Sequence, residues 1–84
     1  MTAKEKIEAN GYEDVIIFEN PAYDTALIGI THDNRAVYSF EKMVEDLASK
    51  GMPEDEAIEF IEFNTIRALP YVENAPIVMY ELED

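Results

Sequence analysis

Apolar side chains recur along this chain at two distinct spacings, and each spacing predicts its own kind of element. After Ser39, the residues Phe40, Met43, Val44 and Leu47 fall three and four positions apart, which sets one apolar stripe along a helix. Ser39 is placed to cap that helix and Gly51 to stop it. A second helical pattern opens at Pro53, whose fixed φ suits a first turn, and Glu54, Asp55 and Glu56 complement the positive end of the helix dipole. It runs on to Leu69-Pro70, with Ala57, Ile58, Ile61, Thr65, Ala68 and Leu69 inside one arc of about 120° that faces the core. A shorter helix is predicted over about residues 3–10, opened by a Thr2–Glu5 capping box and closed by Asn10-Gly11.

The period-two segments predict strands. Val15-Ile16-Ile17-Phe18 is a β-branched and aromatic run that closes at Asn20-Pro21, where proline removes a backbone donor. Thr25 to Thr31 alternates Ala26, Ile28 and Ile30 with Thr25, Leu27, Gly29 and Thr31. Asp33-Asn34 then supplies residues tolerant of positive φ, and Ala36-Val37-Tyr38 completes a hairpin. Pro76 to Leu82 is apolar on both sides, which predicts a central strand or one covered on both faces. The expected fold is therefore α+β: a small antiparallel sheet of about four strands, a two-helix hairpin packed on one face, and a short N-terminal helix. A chain of 84 residues has too little apolar surface for two cores, so residues 1–84 form a single domain. The other sheet face is expected to be covered by the short helix or by a second copy of the chain.

Charge changes the picture more than composition does. At 48% hydrophobic residues the chain folds, but 19 acidic residues against six basic ones leave a net charge of −13. Such a surface repels phosphate backbones and anionic membranes, so neither direct nucleic-acid binding nor membrane association is expected. It attracts a basic protein groove of the kind that normally holds nucleic acid; the plain alternative is that the charge serves only solubility. The absence of cysteine excludes disulfides and thiolate chemistry and fits a reducing, cytoplasmic setting. No signal-peptide pattern and no membrane span is read from the sequence. No Gly-rich phosphate loop and no calcium-loop pattern is present, so neither a cofactor nor a metal site is expected.

Catalysis would have to begin at His32, the single histidine, with Asp33 beside it, Asp24 nearby, and Thr25, Thr31 and Ser39 as the available hydroxyls. A solvated turn histidine is the simpler reading, and the consecutive carboxylates of Glu54-Asp55-Glu56 point in different directions. The chain is accordingly expected to be a non-catalytic binding protein. Its predicted interaction residues are Asp55, Glu59 and Glu62 on the outer arc of the second long helix, with Phe63 and Ile66 as apolar anchors among them. The structural alternative packs Phe63 and Ile66 beneath the C-terminal strand or loop. Arg67 is expected to pair with a carboxylate, and Asn64 and Thr65 to bond loop backbone near Pro70-Tyr71.

The run Glu62-Phe63-Asn64-Thr65-Ile66-Arg67-Ala68-Leu69-Pro70-Tyr71, followed by Ala75-Pro76-Ile77-Val78-Met79-Tyr80, resembles a group of short uncharacterised acidic proteins from Gram-positive bacteria and their phages. The resemblance extends to Thr25–Ile30 and Ala36–Met43, with Pro53 standing where similar sequences have Thr or Ser. It implies a genomic setting and no activity. Small acidic phage proteins that block host nucleic-acid enzymes, by mimicking nucleic acid in a basic channel, are an analogy of charge and size. The expected partner is thus a basic protein. The alternative is a self-associating structural protein, a homodimer of this chain.

Overall fold

The computed structural model describes residues 1–83. Helix α1 spans Ala3–Ala9, opened by the capping box in which Thr2 accepts from the Glu5 amide and Glu5 reaches back to the Thr2 amide at 2.9 Å. Gly11, at φ 84°, turns the chain away after it. Strand β1 is Leu27–Ile30 and strand β2 is Ala36–Ser39; Asn34 takes the left-handed conformation between them, at φ 65°. Helix α2, Phe40–Ser49, leaves β2 without a loop, because Ser39 ends the strand and accepts from the Lys42 amide as N-cap at 3.3 Å. Gly51, at φ 99°, closes it. Helix α3, Glu54–Phe60, then passes into a π turn over Ile61–Thr65 and a 3₁₀ segment over Ile66–Tyr71. Strand β3 is Ile77–Met79.

The sheet is three-stranded among the described residues, in the order β1-β2-β3. The first pair is antiparallel, with Ile28 as the extra residue of a bulge; the second is parallel, with Tyr38 opposite Val78. Four expectations about the sheet are corrected here. The sheet is mixed, because β3 returns from the helices in the direction of β2. Val15–Phe18 makes no ladder: Asp14 ahead of it has φ 56°, and the Phe18 amide donates to the Tyr38 hydroxyl at 3.2 Å instead of to a strand. The run still packs on the core through Val15, Ile17 and Phe18. The last strand is an edge, with β2 at the centre. Beyond Met79 the chain leaves the ladder: the Glu81 amide donates to Glu41 at 2.9 Å, and its carboxylate accepts from Ser39 at 2.7 Å. Thr25 and Ala26, expected at the start of the hairpin, lie instead in a 3₁₀ turn, Asp24–Ala26, whose Asp24 carboxylate accepts from the Ala3 amide.

Tyr23, Tyr38, Met43 and Ile61 are fully buried at the centre, and Phe18 joins the two tyrosines edge-on and tilted, at 5.6 and 4.7 Å between ring centroids. Ala3 and Ile7 bring α1 into the same core. Among the described residues no helix is long and apolar enough to cross a membrane.

Candidate functional site

Helices α2 and α3 lie side by side, joined through buried Met43 and Leu47 on one and Ala57 on the other. Their outward flanks meet in an open groove of about 310 Å³. Phe40, Val44 and Ala48, one turn apart along α2, form one wall with Ile58 of α3 opposite, while Glu41, Glu45 and Glu54 line the rim. Val44 and Ile58 are each half-buried: one side of each packs on the core and the other is presented to the groove. The ring of Tyr80, mostly exposed, leans on Phe40 with centroids 4.8 Å apart.

Among the described residues the carboxylates around this groove form no ion pair. Of the six basic residues, Lys6 donates to the Leu27 carbonyl, Arg35 to the Ala75 carbonyl, and Lys50 pairs with buried Asp46 at 3.0 Å. Among the described residues no ion pair reaches Glu41, Glu45, Glu54, Asp55, Glu56, Glu59 or Glu62. The predicted residues Asp55, Glu59 and Glu62 are all exposed, the first two on α3 and Glu62 in the π turn after it, and none of them lines the groove.

The two predicted apolar anchors part company. Phe63 is 58% exposed, but its ring is covered on one side by the Arg67 guanidinium, 5.4 Å from the centroid. Arg67 was expected on a carboxylate; four positions from Phe63, it lies over the ring instead. Ile66 is half-buried and packs on the core, so it is not an exposed anchor. Thr65 departs from expectation too, its hydroxyl meeting that of Tyr23 at 2.7 Å in the interior rather than loop backbone. The sequence reading missed Val44, Ile58, Glu41 and Glu45. Their signal was present in the Phe40–Val44–Ala48 and Glu41–Glu45 spacings, but a groove between two helices exists only once both are packed.

The polar residues near His32 are otherwise engaged. Thr31 donates to Asp33 and holds that carboxyl below its ordinary range; Thr25 donates to Asp46, and Ser39 to Glu81. His32 itself is exposed. Every buried side-chain nitrogen and oxygen among the described residues has a hydrogen-bond partner, and no three metal-ligating side chains among them converge. A second cleft, about 220 Å³, lies between Ile16–Pro21 and the 3₁₀ segment; Glu19 is its one charged residue. Comparison with protein-family models, with curated proteins and with solved structures returns no match.

Proposed function

We propose that this chain is a non-catalytic interaction module that docks on a basic surface of a partner protein through α3 and the groove beside it. One observation carries the reading: half-buried Val44 and Ile58 sit inside a rim of carboxylates that the chain's own lysines and arginines leave unpaired. Apolar contact supplies affinity at such a surface, and the uncompensated charge selects a basic partner and speeds encounter. The nucleic-acid-mimic form is narrower. It draws support from Asp55 and Glu59, about 6 Å apart along α3 and so roughly two phosphate steps on one strand, with Glu62 following in the π turn. The resemblance to short acidic proteins of Gram-positive bacteria and their phages makes host nucleic-acid enzymes, with their basic channels, the natural partners to search.

Tagged protein and its Asp55→Lys, Glu59→Lys, Glu62→Lys variant, incubated with host lysate at low and high salt, test the proposal. The expected result is one basic protein retained by the parent at low salt, released at high salt, and lost with the variant. Retention that survives the charge reversal, or recovery of nothing but the chain itself, overturns it. Competition by duplex DNA for the retained protein is the added expectation of the mimic form.

A further inference from the structure

Resting on that reading, we infer that the occupant of the α2–α3 groove is a basic amphipathic helix of the partner protein. Both walls are helices whose backbone groups beyond the first turn are bonded within the helix, so the length of the groove offers side chains rather than a row of backbone partners. An extended peptide adding to a sheet gains its affinity from backbone pairing, which these walls cannot supply. A helix brings its own hydrogen bonds satisfied and needs only an apolar stripe and complementary charge. The dimensions agree. Phe40, Val44 and Ala48 span about 12 Å along α2, two helical turns, which is met by apolar residues at positions i, i+4 and i+7 of a partner helix. Ala48 is small and exposed, leaving the far end of the groove open to a larger side chain. Glu41 and Glu45 on one rim and Glu54 on the other flank the apolar floor, so lysine or arginine belongs on both sides of the partner's stripe. Tyr80, leaning on Phe40, adds a ring face for such a cation at the near end. A second copy of the chain is the poorer occupant, since each carries a net charge of −13.

The probe is a labelled peptide of about 14 residues, roughly four helical turns, with leucine at helical spacing and lysine elsewhere; a peptide of identical composition with the spacing scrambled is its control. Anisotropy titrations compare the parent with Ala48→Arg, which fills the groove from an exposed position, and with Ala9→Arg at an exposed position of α1, which changes net charge equally. The expected result is binding of the periodic peptide at least about tenfold tighter than the scrambled one, and a loss of about tenfold or more in Ala48→Arg but not in Ala9→Arg, with unchanged circular dichroism. Equal binding of the two peptides overturns the groove while leaving the charge-driven reading, which the lysate experiment tests separately. Equal effects of the two variants, binding of neither peptide, or a dimer of the parent dissolved by Ala48→Arg also overturn it.

Discussion

The interior hydroxyls show how this small core tolerates polar atoms. Tyr38 and Tyr23 are fully buried, yet each hydroxyl has one partner, the Phe18 amide and the Thr65 hydroxyl respectively. Burial opposes ionisation of both rings, and the Tyr38 pKa is pushed up to about 12 from 10.0. Below about pH 10 both states hold the Tyr38 proton; between about pH 10 and 12 the unfolded chain has released it and the folded one has not. Stability is therefore full below that window and falls as pH rises through it, with Tyr23 adding in the same direction. Urea unfolding at pH 8 and pH 11 checks this: Tyr38→Phe is expected to cost about 1 kcal/mol at the lower pH, from the lost hydrogen bond, and to flatten the alkaline decline. An undiminished decline in the variant would locate its cause elsewhere.

At the scale of elements, the joint at Ser39 combines local and distant roles. Its hydroxyl accepts from Lys42 as cap and donates to Glu81 forty-two positions away, pinning the chain after β3 to the start of α2. Ser39→Ala is expected to destabilise by about 1–2 kcal/mol in chemical denaturation, and Ser39→Asp to restore the cap while repelling Glu81, recovering only part of that loss. Capping and periodicity were the legible signals: α1, α2 and the start of α3 lie where Thr2, Ser39, Gly11 and Gly51 place them. Two features depend on tertiary partners and were not legible. Val15–Phe18 has the composition of a strand, but no neighbouring strand takes up its amide groups. The second long helix has one continuous apolar stripe, yet Thr65 bonds Tyr23 and Pro70 lacks an amide, and between these the helix passes through a π turn into a 3₁₀ segment. That shift of phase explains why Ile66, placed by a regular wheel among Asp55, Glu59 and Glu62, packs inward. The acidic half of the site was readable as charge on an outer arc; its apolar half needed two packed helices.

Across the described residues, hydrogen bonds to backbone carbonyls and the ion pair of exposed Lys50 with buried Asp46 engage three of the six basic side chains, and a fourth covers Phe63, while carboxylates gather along α2 and α3. Salt is expected to weaken any partner held by that surface. The lining residues place the proposed binding surface on one side of the domain, with β1 and its bulge outside it. Amide chemical-shift mapping of isotope-labelled protein, titrated with the periodic basic peptide, tests that placement most directly. The account predicts that perturbations concentrate over Phe40–Ala48 and Glu54–Glu62, with Tyr80 included and Leu27–Ile30 unmoved. Perturbations spread evenly over all exposed carboxylates, or centred on β1, would contradict it.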